Sequence, residues 1–369
     1  MKIKPFTCFL FAVAIILIAL SPWLIQSYYS ETPASVPYKG ILKLWNITGW
    51  RTGGSSCGSF LKKRIADFEA RNASIFIDFV DLTAAEAEAA LQKGEAPDIV
   101  SYPLGQSVDL PLSHLPHKDT IFPEVSEDAY PYMCGAYCLL INADMVEENG
   151  LFPPGGWGVR PDEFLSMSEL GVCFDSEEGC LSLPAVALHE YPENEGPKLY
   201  QWDEPPAQDA ATGLTVVAYS DGLNCFCSGK AGLLIASQRQ LFEVNAKLEE
   251  GSAPAYLAYA LSGYTDMAQL ISAVWSDDDK KRQACVDFAA FLLEPRVQAK
   301  LEALGVFPAL PGIEIYADND CMSSMYKLLS EDAALALPED RPMLSELSMK
   351  ALGGNSDALT KLRHMFDSD

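Results

Sequence analysis

Between Ile41 and Ser101 short apolar runs alternate with helical ones, and this alternation restricts the chain to a small set of folds. Ile41-Leu42-Lys43-Leu44-Trp45 is an apolar run of strand length. From Phe60 to Arg71 the apolar residues Phe60, Leu61, Ile65 and Phe68 recur at the spacing of a helix face. Ile75 to Val80 (IFIDFV) reads as a second strand. Thr83 caps an Ala/Glu-rich helix that Gly94 ends. Pro97-Asp98-Ile99-Val100-Ser101 is a third strand. The order β-α-β-α-β predicts a parallel sheet with right-handed crossovers. Ligands on such sheets sit beyond the carboxyl ends of the strands, which directs attention to the loops 46–56 and 101–106.

Further along, Ala136 to Ile141 reads as a strand, and a helix from Asp144 follows until Gly150. Pro161 opens another helix, a first-turn position that tolerates proline. Residues 171–212 are rich in proline and acid and follow no period. Ala231 to Ile235 and Ala255 to Ala260 are strands. Asp277-Asp278-Asp279 caps a long helix running through Leu293, Pro295 starts the next, and Gly305 ends it. Two more helices are expected near 321–331 and 341–367.

With 369 residues, 49% of them hydrophobic, the chain can bury the core of two domains or of one large two-lobed unit. Acids outnumber bases by 51 to 26, a net charge of −25 with no basic block, so a phosphate backbone would be repelled and nucleic acid is not an expected partner. Lys2 and Lys4 precede an apolar run from Phe9 to about Ile25. That pattern is a targeting segment with its positive end on the cytoplasmic side. It is either a cleaved signal peptide or a retained membrane anchor. The lack of a small-x-small site at Gln26-Ser27-Tyr28-Tyr29 favours retention. Residues 1–30 are assigned to this segment and 31–39 to a linker. Nine of the ten cysteines lie beyond it. Cys173 and Cys180 flank an acidic loop and could bridge locally. Cys134 and Cys138, expected on one strand, would be roughly 13 Å apart, too far to pair. There is no CxxC, and the four histidines lack ligand spacing, so no metal site is expected and buried free thiols are the preferred reading.

Several segments, in order, resemble the extracellular solute-binding proteins of ATP-binding cassette importers, the sugar-binding family in particular. "LWNITGW" looks like that family's first strand and ligand loop, and "FLKKRIADFEARNASIFIDFVDL" resembles its first helix and second strand. "LQKGEAPDIVS" is similar to its third strand, and "YPYMCGAYCLLINADMVEENGLFPP" to its hinge strand and following helix. "PDEFLSMSEL", "CSGKAGLLIAS" and "KKRQACVDFAAFLLEPRVQAKLEALGVFPALP" resemble later segments. The resemblance implies an α/β, two-lobed fold of the periplasmic-binding-protein type II class, each lobe a mixed, mostly parallel sheet flanked by helices. It places lobe I at 40–134 plus 262–314 and lobe II at 135–261 plus 315–369, with hinge strands near Gly135–Leu140 and Ala258–Gly263. It implies an extracytoplasmic bacterial protein, secreted or anchored to the outer face of the cytoplasmic membrane. Such a protein captures a small polar solute, a sugar, by lobe closure and delivers it to permease subunits of an ABC transporter.

A sugar needs flat aromatics for its C–H faces and planar polar groups for its hydroxyl rim. Trp50, Arg51 and Asn46 offer both within one loop. Trp50 is the stacking candidate, and Arg51 suits a carboxylate or phosphate. Ser101 and Tyr102, after the third strand, are expected to look into the cleft. Tyr132 and Tyr137 flank the first crossing between lobes, one expected to face solute and the other core. Trp202 lies in the irregular region, and Ser237 follows a strand as a rim donor. Gly263 and Tyr264 resemble the return crossing. The sequence contains no GxSxG, HExxH, Walker lysine motif or GxGxxG, so no catalytic residue and no cofactor are assigned. A membrane-tethered binding module or sensor partner without transport, and a glycan-active enzyme, are the alternatives.

Overall fold

A computed structural model describes residues 37–106, 108–122, 125, 127–149, 170–174, 217–218, 222–261, 264–332, 334–335, 341–352 and 355–366. In chain order the strands are β1 (Gly40–Ile47), β2 (Ile75–Leu82), β3 (Ile99–Pro103), β4 (Tyr130–Cys134), β5 (Tyr137–Asn142), β6 (Val172–Phe174) and β7 (Val217–Ala218). They continue as β8 (Leu233–Ser237), β9 (Tyr256–Ala260), β10 (Tyr264–Thr265), β11 (Ala268–Ala273), β12 (Phe307–Pro308) and β13 (Ala334–Leu335). The helices are α1 (Cys57–Arg71), α2 (Ala84–Gln92), α3 (Ala143–Glu148), α4 (Gly222–Cys227), α5 (Gln238–Glu249), α6 (Asp279–Leu292), α7 (Pro295–Gln298), α8 (Asp320–Asp332), α9 (Arg341–Leu352) and α10 (Ser356–Phe366). A 3₁₀ turn, Ala299–Leu304, extends α7 and ends on left-handed Gly305.

The first sheet has the order β12-β4-β11-β3-β1-β2 and the second β7-β6-β8-β5-β9. β1 pairs in parallel with β2 and β3, as the β-α-β-α-β reading requires. α1 buries Phe60, Leu61, Ile65 and Phe68, and Ser56 caps it by accepting the Ser59 N–H at 3.1 Å. Phe68 continues the packing into α6, its ring 5.2 Å from that of Phe288. α2 carries a full capping box between Thr83 and Glu86, yet buries only Ala87.

Both sheets are mixed: β1, β2, β3 and β4 run one way with β11 and β12 opposed, and among the described strands of the second sheet β5 runs against β6, β7, β8 and β9. β11 and β12 pair antiparallel in the first sheet, as β5 does with β8 and β9 in the second. The cause lies at the crossings, where a strand leaving one sheet and a strand returning to it run in opposite senses.

The first crossing corrects an expectation. Cys134 ends β4 in the first sheet and Cys138 lies in β5 of the second, so they share no strand. Gly135 and Ala136 carry the chain across. The Gly135 N–H donates to the Met267 carbonyl at 2.7 Å. A Cβ at Gly135 would stand 2.8 Å from Gln238 Oε1 and 3.0 Å from Met267 Cβ, which is why glycine fits there. The chain returns between β9 and β11. A third passage leads from β12 to α8, which lies against β9 and β5. There the Phe307 ring stacks on Tyr326 at 6.2 Å, with the Tyr316 ring edge-on to Phe307 at 5.6 Å. One apolar cluster runs from Trp45 and Val100 through Leu140 and Leu234 to Met322, Met325 and Leu329 of α8.

Cys57, Cys134, Cys138, Cys173, Cys225, Cys227, Cys285 and Cys321 are free thiols; Cys180 lies outside the described residues. The helix expected over 341–367 is two, α9 and α10, with the pair Gly353-Gly354 between them in the sequence. Among the described residues no helix is long and apolar enough to cross a membrane, and the N-terminal apolar run is not among them.

Candidate functional site

The carboxyl ends of β1, β2 and β3 converge on one hydrogen-bonded group. Asn46 Nδ2 donates to Asp81 Oδ1 at 2.6 Å, and Ser101 Oγ donates to Asn46 Oδ1 at 2.8 Å. The Tyr132 hydroxyl lies 2.9 Å from Ser101 Oγ and 3.1 Å from Cys57 Sγ. Gln269 Nε2 donates to Ser101 Oγ at 3.0 Å and to the Ile47 carbonyl at 3.1 Å. Asn46, Ser101, Tyr132 and Gln269 are buried, whereas Asp81 is exposed. Burial is the main reason that the Cys57 thiol is pushed up to about 12 and the Tyr132 phenol well above its ordinary value. Both groups are therefore neutral donors or acceptors here. Gly58 makes room for this arrangement, since a Cβ there would meet Asp81 Oδ2 at 2.2 Å.

Above the group lies the loop 48–56. Trp50 is half-buried, and its Nε1 has no hydrogen-bond partner among the described residues. Arg51 is exposed. Gly49 sits against Pro103, and a Cβ would fall 2.3 Å from the proline Cβ. Gly53 approaches Phe242 of α5, whose ring would stand 2.9 Å from a Cβ at that position, and Gly54 N–H donates to the Leu304 carbonyl at 2.9 Å. Phe242 brings the second sheet's helix into contact with the loop that follows β1.

The expected residues thus fall into several groups. Asn46, Ser101 and Tyr132 come together, but beneath the surface and bonded to one another. Ser101 and Tyr102 lie within β3 rather than past it, because β11 pairs with that strand as far as Pro103. Tyr102 turns to the opposite face, its hydroxyl 3.1 Å from Ser272 Oγ. Tyr132 and Tyr137 are both fully buried, which corrects the expectation that one of them faces solute. The Tyr137 hydroxyl donates to Asp266 Oδ1 at 2.5 Å and ties the two crossings together. Ser237 is the N-cap of α5 in a capping box with Gln240, not a rim donor. Tyr264 lies in β10, paired with Ala334; Trp202 and Gly263 are outside the described residues. Trp50 and Arg51 remain at the strand ends, joined there by Asp81 and Phe242, which the sequence reading did not single out. Applying the strand-end rule to β2 as well as to β1 and β3 would have found Asp81. No local signal marks Phe242. Among the described residues no group of three or more His, Cys, Asp or Glu is placed to hold a metal ion.

No protein-family model matches the sequence, and no curated protein sequence matches it. Solved structures do match. One is the cyclic α-maltosyl-1,6-maltose binding protein of Arthrobacter globiformis, 13% identical over 90% of this chain and 99% of that one, with a TM-score of 0.57. Another is the apo-form of RafE from Streptococcus pneumoniae, 15% identical over 90% and 99%, TM-score 0.57. A third is UgpB of Mycobacterium tuberculosis in complex with glycerophosphocholine, 14% identical over 89% and 98%, TM-score 0.56. The fold is the two-lobed α/β architecture of type II periplasmic binding proteins.

Proposed function

We propose that this chain is an extracytoplasmic receptor of an ABC importer, which captures a small polar solute, a mono- or oligosaccharide, between two lobes and hands it to a permease. In this reading residues 40–134 with 262–314 form one lobe, 135–261 with 315–369 form the other, and the passages between the sheets act as the hinge. The N-terminal apolar run directs the protein outward and holds it at the membrane.

One observation carries the reading: the fold is shared, over 90% of the chain, with a protein named as a cyclic α-maltosyl-1,6-maltose binding protein. The loop after β1 supports it. Trp50 offers a half-buried aromatic side chain for a sugar face, and Asp81 supplies an exposed acceptor at the end of β2. Arg51 favours a phosphate- or carboxylate-bearing solute as the second reading. It is exposed and forms no ion pair among the described residues, and a structural neighbour is a glycerophosphocholine complex.

A thermal-shift screen of the full chain against neutral sugars, sugar acids, glycerophosphodiesters, polyols and amino acids tests both. A ligand at about 100 times its dissociation constant adds about 2.7 kcal/mol to a folded receptor. A shift with one sugar class, lost in Trp50→Ala and Tyr264→Ala, is the expected result. A shift confined to phosphodiesters and lost in Arg51→Ala would select the second reading. No shift across a well-folded protein would sink both.

A further inference from the structure

A surface groove runs beside α2 where that helix lies on the first sheet. Ala84 and Ala87 line it from the helix, and among the described residues no helix follows between β3 and β4. The groove, of about 690 Å³, lies between α2 and the residues Gln106, Val108, Asp109 and Leu110. Among the described residues its walls come from 45–47, 84–100, 106 and 108–110, with none from the second sheet or its helices. It is therefore separate from the cleft between the lobes and independent of the transport reading.

Half-buried Leu91, Val108 and Leu110 give the floor its apolar surface, over the buried Trp45, Ile47 and Val100. Trp45 is level with Val100 across β1 and β3, and it alternates with Asn46, which points to the α1 side. Glu88, Glu95 and Asp109 form the rim, and among the described residues no Lys, Arg or His lines the groove. Gln92 Nε2 donates to Glu88 at 3.3 Å, while none of the three carboxylates has an ion pair among the described residues. The groove has the size of a small-molecule site. An apolar floor beneath three carboxylates without an ion pair among the described residues is complementary to a cation with a hydrocarbon body.

We infer that this groove binds a small organic cation, a quaternary or primary amine with an apolar body. Its charge lies among Glu88, Glu95 and Asp109, and its carbon chain rests on Leu91, Val108 and Leu110. Calorimetric titration of the full chain with hexyltrimethylammonium, and in parallel with neutral hexanol, tests it. Saturable one-to-one binding of the cation alone is expected, weakening at least about tenfold as salt rises from about 20 to about 500 mM. Gln92→Lys, which puts a competing ammonium beside Glu88 on an exposed turn, should weaken binding by at least about tenfold without lowering the melting temperature. The double variant Glu88→Gln, Asp109→Asn should do the same. The proposal is overturned by no saturable binding, by equal binding of hexanol, or by unchanged binding in both variants. It is also overturned if sedimentation shows a dimer that the cation dissociates, since a second copy would then be the occupant.

Discussion

The Ser101 hydroxyl holds three neighbours at once, Asn46, Tyr132 and Gln269, in a pocket without water-facing atoms of its own. Ser101→Ala leaves the Gln269 amide and the Tyr132 hydroxyl each short of a partner. Unmet buried polar groups cost about 1–3 kcal/mol each. Urea unfolding should show a loss in that range at least, with an unchanged m-value. A loss under about 0.5 kcal/mol would mean the network rearranges freely and does not hold the strand ends. Asp81 and the loop after β1 are built on this group, so the same variant should weaken solute binding indirectly, without removing a contact.

At the scale of elements, the first crossing is closely packed. Gly135→Ala would press a methyl group against Gln238 and Met267. Overpacking of this kind costs about 1–3 kcal/mol. Small-angle scattering should also show a narrowed difference between solute-free and solute-bound shapes, because the crossing can no longer bend; an unchanged difference would place the hinge elsewhere. Such crossings mark the limit of what the sequence disclosed. The elements from β1 to β3 were legible because their apolar periods, the Thr83 cap and the apolar face of α1 are local signals. The capping aspartates ahead of α6 were equally plain, with Asp278 accepting from Lys280 and Lys281. The change of sheet at Gly135-Ala136 was hidden, since a buried strand in either sheet reads as the same apolar run. The extension of β3 through Tyr102 was hidden too, because its partner Leu270 lies far away in the chain. Ser237 was misread although Gln240, three residues on, completes a capping-box pattern.

For the molecule as a whole, the buried thiols set an alkaline limit. Cys57, Cys173 and Cys285 are each pushed up from an ordinary 9.0 to about 12, burial being the first cause. Below 9.0 these thiols are neutral in folded and unfolded chain alike, and their contribution is fully present. Between 9.0 and about 12 the unfolded chain releases protons that the folded one keeps, so stability falls as pH rises. The melting temperature should therefore drop across that window, and replacing Cys285 by alanine should flatten the slope. An identical slope in that variant would assign the loss to other groups.

The order of strands along the chain has a temporal meaning as well. Every strand of the second sheet lies between Tyr137 and Ala260, while the first sheet waits for β11 and β12, the last of them at Pro308. A chain delivered from its N-terminus holds a complete second sheet while β1 to β4 still lack the strands that join them. The half that begins first is thus finished last, and until then the β3 and β4 edges that will meet β11 are open to whatever strand comes near.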